Sequence, residues 1–279
     1  MNKSYEEQYL SGLNKIMDQG IWIKNERTGV ECLTIDSLSF TYEEDDVALL
    51  SVKQCYPVSS WAEMLGYYRR YEWASDFKSI GSNTWSKDAN KTCWQNSPHC
   101  LGSDHMGKVY GAVTGEHEIP SLLEKIRNHE DDRGLILNFW RPERFEEGCL
   151  RPCLYLHNFN IIGDTLNLIS SQRSCDYMVG KPFNAFSLWF KLKLFSHISG
   201  LKMGKVTHNI ANPHIYLPHM KNAEVLASRI PLENNSKVTI PEWINNFEDV
   251  YDSNRHARDY LKVENYEHLG KLDFEMITS

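Results

Sequence analysis

SQRSCDYMVGKPFNAFSLWFKLKLFSHISGL, residues 171–201, decides how this chain is read. Its first six residues are polar and close an apolar run. Gly180-Lys181-Pro182 then turns the chain into a segment, Phe183 to Leu201, that is apolar around nearly its whole circumference. A helix of that kind belongs inside a protein. The segments before it, Leu154 to Ile162 and Thr165 to Ser170, have strand composition and are joined by Gly163-Asp164, a hairpin signal. Val206 to Leu217 returns to strand. Strands on both sides of a buried helix predict an α+β fold with a buried central helix.

The flanks fit that plan. Ser4 and Glu7 have capping-box spacing, Tyr9, Leu13, Ile16 and Met17 follow at helical intervals, and Gly20 is placed to end the helix. Cys32 to Tyr42 and Val47 to Val52 read as strands, and Ser59 to Trp73 as a helix. Gly81 to Thr114 is irregular, with room for short helical turns. Ile119 to His129 reads as a helix, Gly134 to Trp140 and Lys237 to Ile240 as strands, and the end as a polar tail. No repeat or linker divides the chain, so one domain over 1–279 is expected.

Composition narrows the function classes. The chain has 279 residues, 41% apolar, and a formal net charge of -7. Such a balance argues against a nucleic-acid binder, which needs a broad basic face. A few clustered arginines can still hold a small anion. The seven cysteines are irregularly spaced and suggest no disulfide framework. With no signal-peptide pattern and no run of membrane-spanning length, a reducing, cytoplasmic setting without membrane is expected.

Arg151-Pro152-Cys153 and the run from Ser171 to Asn184 are where a ligand pocket can be built. An arginine forks onto phosphate, a neighbouring serine adds a donor, and a guanidinium beside a thiol favours the thiolate. Taken singly, Cys153 has the look of packing, Arg173 of a surface residue, and Asp176 and Asn184 of turn and helix-start residues. Cys93, His99, Cys100 and His105 match no standard zinc spacing, so no metal is expected. No spacing marks a histidine partner for a cysteine hydrolase.

Taken together, these stretches resemble the thymidylate synthase family, which includes the phage nucleotide hydroxymethylases. QRSCD at 172–176, GKPFN at 180–184 and HIY at 214–216 recur in the family's order. Before them come RTG at 27–29, Glu63 with Trp85, VYG at 109–111, DDR at 131–133 and Pro152-Cys153. The resemblance implies a single thymidylate synthase-like domain, with a mixed β-sheet around the buried central helix, that moves a one-carbon unit from 5,10-methylenetetrahydrofolate to C5 of a pyrimidine nucleotide. It implies that Cys153 adds to C6, that Glu63 moves protons at the base, and that Tyr110 helps remove the C5 proton. Arg27, Arg133, Arg173 and Ser174 would hold the 5′-phosphate, Arg133 reaching the partner's site in a homodimer. His214 and Tyr216 would hold the sugar, and Trp85, Asp176, Gly180 and Phe183 would form the folate side. Asn184 would read the base, with a pattern that favours uracil and hence dUMP.

The chain also departs from that family. Leu154 follows the nucleophile where a histidine is usual, and Asn158 stands for a glutamine. Gly134 replaces the second arginine of the phosphate pair. Ala112-Val113-Thr114 and Tyr67-Tyr68-Arg69-Arg70 replace other habitual segments. The last residues, Phe274 to Ser279, are more polar than the tail that usually excludes water. These changes lead to an expected dUMP hydroxymethylase, with dTMP synthesis and a cytidylate-directed enzyme as alternatives, and a non-catalytic nucleotide-binding paralogue as a further one.

Overall fold

The computed structural model describes residues 3–26 and 28–277. Helix α1 (Tyr5–Gln19) begins with the expected capping box between Ser4 and Glu7 and ends at Gly20. Strands β1 (Ile21–Lys24) and β2 (Glu31–Thr34) form a hairpin, and β3 (Ser37–Tyr42) follows. The stretch read as one strand from Cys32 is therefore two, β2 and β3, in different sheets.

Val47 to Val52 is buried but is not a strand. Its backbone is held by a side chain: the carboxylate of Glu6 accepts from the amides of Ser51 and Val52 at 2.7 and 2.8 Å and from Ser51 Oγ at 2.8 Å. A buried carboxylate with three donors replaces a strand ladder, which apolar composition cannot reveal. Glu6→Ala strands those donors and is expected to cost about 2–4 kcal/mol of stability. The readout is a lower urea midpoint at unchanged slope. An unchanged midpoint would mean that water replaces the carboxylate without penalty.

Helix α2 (Pro57–Tyr68) is buried on most sides and stops at Arg69-Arg70, where Arg70 has φ 57°, five residues short of the expected Trp73. Short helix α3 (Ala74–Ser79) follows, and α4 (Ser86–Ala89) and α5 (Thr92–Gln95) are helical turns within the irregular stretch. Helix α6 (Glu118–Arg127) leads to β4 (Ile136–Asn138), then β5 (Leu154–Ile162) and β6 (Thr165–Gln172), whose hairpin turns at Gly163 with φ 64°. The pair β7 (Cys175–Asp176) precedes α7 (Gly180–Ser199), the expected central helix, which starts three residues earlier than its apolar run. After it come β8 (Lys202–Ala211), β9 (Pro213–Tyr216), α8 (Met220–Ala227), β10 (Lys237–Thr239), α9 (Glu248–Tyr251) and β11 (Lys262–Glu264).

The main sheet has the order β3-β8-β6-β5-β4 and is mixed, with β6 and β8 parallel and the other neighbours antiparallel. A smaller sheet runs β1-β2-β9-β7. The chain passes between the two sheets three times at one level: at Ile35-Asp36, at Arg173-Ser174 and at Asn212, which takes φ 47°. Asn212 N donates to Asp36 O, and Ile35 N to Pro213 O, which binds the crossings together. The expected single strand from Val206 to Leu217 is thus broken at Asn212.

On the main sheet, Leu137, His157, Phe159, Leu168, Ser170 and His208 are buried on the side of α7. The opposite face carries the register row Ile136–Asn158–Ile169–Thr207, with Ile162 two steps along β5. Ile136, Ile162 and Ile169 are 47, 70 and 39% exposed, so three isoleucines lie uncovered among polar residues such as Asn158 and Thr207 on this face in one copy of the chain. An α+β architecture with a mixed sheet and a buried central helix is what the sequence predicted.

Candidate active site

A cleft of about 460 Å³ opens beside the three crossings. It is walled by α2, by the turn from β7 into α7, by β9, and by the C-terminal segment. Cys153, Glu63, Tyr110, Asn184, Ser174, Asp176, His214, Tyr216, Trp85, Gly180 and Phe183 all line it. Eleven residues from stretches spread between Glu63 and Tyr216 meet in one concavity.

Cys153 stands just before β5, and the register of β5 on β6 slips between Leu154 and Leu156. Such an irregularity re-aims side chains at a strand start. The sulfur is placed by its neighbours. The Cys153 amide donates to Tyr110 Oη at 3.0 Å, and Arg173 N donates to Cys153 O at 2.9 Å. Arg173 Nη2 lies 3.7 Å from Cys153 Sγ, where its charge stabilises a thiolate.

Arg173 also braces the approach to the cysteine. Its Nε and Nη2 donate to the carbonyls of Pro152 and Arg151, both at 2.9 Å, and its guanidinium lies over Trp140. It sits behind the cleft wall and is not among the lining residues, so two of its nitrogens are used on backbone before any phosphate arrives. Arg133 is exposed on the loop before β4 and is also outside this cleft. Arg27 lies outside the described residues.

Tyr110 opens a short 3-10 helix with φ 45°, an uncommon backbone state for a bulky residue. Its ring stacks on Tyr67 at 4.0 Å and 8°. Gly111 allows this contact, since a Cβ there would lie 1.7 Å from Tyr67 O. Burial pushes the Tyr110 phenol well up, so it is a neutral donor and acceptor. Glu63 faces the cleft from α2 and accepts from Thr84 Oγ1 at 3.0 Å. Burial raises its carboxyl to about 7, against weaker lowering by bonds from Thr84 and Tyr67.

Asp176 Oδ1 accepts from the amides of Met178 and Val179 at 3.0 and 3.2 Å, which ties it to the entry of α7. His214 is held by Asn212 O at 2.9 Å and packs edge-on against Tyr216. Asn184, on the first turn of α7, donates through Nδ2 to Gln172 Oε1 at 3.2 Å.

The tail corrects its own reading. Although its composition is polar, Leu272, Phe274, Met276 and Ile277 line the cleft. His219 Nε2 bonds Glu275 O at 2.7 Å, Asn222 Nδ2 donates to Asp273 O at 2.6 Å, and Phe274 lies edge-on to His219. Lys271 and Asp273 line the cleft beside these apolar residues, whereas Glu275 does not. Thr278 and Ser279 lie outside the described residues.

Trp85, Leu150, Phe183 and Phe274 give the cleft an apolar wall, and Asp176 puts a carboxylate beside it. The Trp85 indole N–H is buried without a hydrogen-bond partner among the described residues. Apolar surfaces with a lone acceptor fit a flat, N–H-bearing heterocycle such as a reduced pterin. Residues to which the sequence assigned no role also line the cleft: Lys53, whose Nζ donates to Met178 O and lies 4.7 Å from the Phe274 ring, Thr84 beside Glu63, and Tyr67, quoted only within a segment that departs from the family pattern. Only Gln172, within a quoted motif, carried a signal that could have found it. Among the described residues no cluster of side chains suits a metal ion, and no helix is long and apolar enough to cross a membrane.

Comparison with known proteins places these features in context. The family described as thymidylate synthase matches residues 7–278. The chain is 38% identical to a thymidylate synthase of Aliivibrio fischeri over 97% of its own length and 98% of that protein's. It is 40% identical to one of Pasteurella multocida over 81% and 85% of the two chains, and 39% identical to one of Shewanella sediminis over 96% and 98%.

Proposed function

The chain belongs to the thymidylate synthase family, one-carbon transferases that act on a pyrimidine nucleotide with 5,10-methylenetetrahydrofolate as co-substrate, and from that premise we propose that it converts dUMP to dTMP. The observation that carries this reading is the meeting of Cys153, Glu63, Tyr110 and Asn184 in one cleft whose mouth is walled by the C-terminal segment.

In this reading Cys153 Sγ adds to C6 of uracil and C5 becomes nucleophilic. Asn184 receives N3–H at Oδ1 and donates from Nδ2 to O4. Glu63 exchanges protons with O4 through water, and Tyr110 assists loss of the C5 proton. Ser174, Arg173 and Arg27 hold the phosphate, and His214 and Tyr216 the sugar hydroxyl. Trp85, Asp176, Gly180 and Phe183 form the folate side; the bound folate supplies the carbon and then a hydride.

Hydroxymethylation, expected from the sequence, is the second reading. It needs water at the C5 substituent, and it keeps some support from Leu154, where the family has histidine. Two observations favour the methyl product: the relatives named above are thymidylate synthases, and the tail brings Leu272, Phe274, Met276 and Ile277 to the cleft wall. Incubation with methylenetetrahydrofolate and dUMP, with the product weighed by mass spectrometry, separates the two. A methyl product with dihydrofolate supports the proposal, and a hydroxymethyl product with tetrahydrofolate overturns it.

Phe274→Ala tests the tail directly. Opening the wall beside Lys53 and His219 is expected to lower dTMP formation by roughly 10²-fold and to divert part of the product to hydroxymethyl-dUMP. A product that stays wholly methyl would remove the tail from that choice.

The whole chain, 1–279, acts here as one domain, and two copies pair through the uncovered sheet face bearing Ile136, Ile162 and Ile169. Arg133 precedes β4 at the rim of that face, where it can complete the phosphate site of the partner copy. Sedimentation of the purified protein at micromolar concentration tests this; a monomer would leave Arg133 without a role.

A further inference from the structure

A line of buried polar groups runs from the core beneath the main sheet to the base-reading amide. Lys181 Nζ donates to Tyr42 Oη at 3.0 Å, Tyr42 Oη lies 2.8 Å from His208 Nδ1, and His208 Nε2 lies 2.9 Å from Gln172 Oε1. The same Gln172 oxygen accepts from Asn184 Nδ2, and Gln172 Nε2 donates to Ser174 O at 2.9 Å. Lys181, Tyr42 and His208 are fully buried and Gln172 is 3% exposed.

Both ends of this line set its direction. Lys181 Nζ is ringed by Phe40, Tyr42 and Tyr5, with 3.7 Å to the Phe40 centroid, and Tyr42 Oη is the acceptor it meets. These ring faces favour the ammonium, which only donates, although burial pulls this lysine down to about 7. Tyr42 then has its own proton for His208 Nδ1. A histidine that accepts at Nδ1 and is neutral, as burial keeps His208, must carry its proton on Nε2. That proton points at Gln172, so the Gln172 oxygen faces inward. At the other end the Ser174 carbonyl can only accept, which requires the Gln172 amide nitrogen on that side.

We infer that Lys181, Tyr42 and His208 are positioning residues that fix the Gln172 amide, and through it the Asn184 amide, in the orientation that accepts uracil and rejects cytosine. The inference rests on the assignment of Asn184 as base reader. With one Nδ2 proton on Gln172, Asn184 offers the cleft Oδ1 and its second Nδ2 proton, which match N3–H and O4. To pair with cytosine the amide must turn over, and Asn184 Oδ1 would then face Gln172 Oε1, two acceptors with no proton between them. Relief of that clash by turning Gln172 would oppose its oxygen to Ser174 O and its nitrogen to the donor on His208. Discrimination therefore resides in a chain of donors that ends far from the base.

The test is the ratio of affinities for dUMP and dCMP, measured by titration calorimetry with wild type, His208→Phe, Lys181→Met and Tyr42→Phe; the last removes only a hydroxyl and guards against misfolding. The ratio is expected to fall by roughly tenfold in each. The same substitutions in an Asn184→Asp background are expected to leave it unchanged, because no amide remains to orient. Equal loss of both affinities at constant ratio would make the three residues structural and overturn the inference. A wild type that binds dUMP but makes no dTMP fails the proposed reaction and leaves this test intact; one that binds neither nucleotide overturns both.

Discussion

Cys153→Ser is expected to lower turnover of dUMP by roughly 10⁴-fold or more, as loss of a covalent nucleophile commonly does, while dUMP still binds. The hydroxyl is nearly isosteric with the thiol, and the groups around it do not depend on sulfur: Arg173 N still finds Cys153 O's counterpart, and Tyr110 Oη still accepts the amide at this position. What disappears is the low-energy anion. A guanidinium 3.7 Å from the sulfur favours the thiolate, whereas a serine hydroxyl is intrinsically far too weak an acid to supply the corresponding anion. The covalent intermediate gives a second readout, because wild type mixed with dUMP and folate and then denatured should carry a nucleotide mass adduct that the variant lacks. Turnover within tenfold of wild type would remove Cys153 from the chemistry and leave the cleft as a binding site only.

Much of this was legible in residues 171–201. A polar run, a Gly-Pro turn and an apolar helix place a pocket at the head of a buried helix, and the residues around that turn do line the cleft. Less visible were features that depend on which group satisfies a backbone. Val47 to Val52 has strand composition, yet the amides of Ser51 and Val52 go to Glu6, forty-five and forty-six residues away in sequence. The Asn212 break has no composition signal beyond one asparagine, although it moves His214 and Tyr216 from the main sheet to the small one. The tail misled because composition does not show which side chains reach the cleft: Phe274, Met276 and Ile277 line it while Glu275 does not and is 73% exposed at its side chain. Lys191, buried on a helix read as apolar all round, shows the same limit from the opposite side.

Glu63→Gln is the second large effect, and its sign follows from burial. Addition of the thiolate to C6 drives negative charge onto O4, and a neutral carboxylic acid nearby can supply the proton that charge requires. An ordinary glutamate, at 4.5, would be almost wholly ionised in neutral solution; Glu63, raised to about 7 by burial, retains the acid form. The rate kcat/KM is therefore expected to fall as pH rises through about 7, and that descending limb should vanish in Glu63→Gln along with roughly 10²–10⁴-fold in kcat. A limb that survives the substitution would assign it to another group. Stability carries the same signature. Between 4.5 and about 7 the folded protein holds a proton here that the unfolded chain has released, so the folded state binds more protons and loses stability as pH rises through that window. Glutamine has no such proton, so urea midpoints of the variant should decline less steeply than wild type from pH 4.5 to 7. Equal slopes would mean that this carboxyl titrates in the folded protein as it does in the open chain, and the catalytic argument from its burial would fall with it.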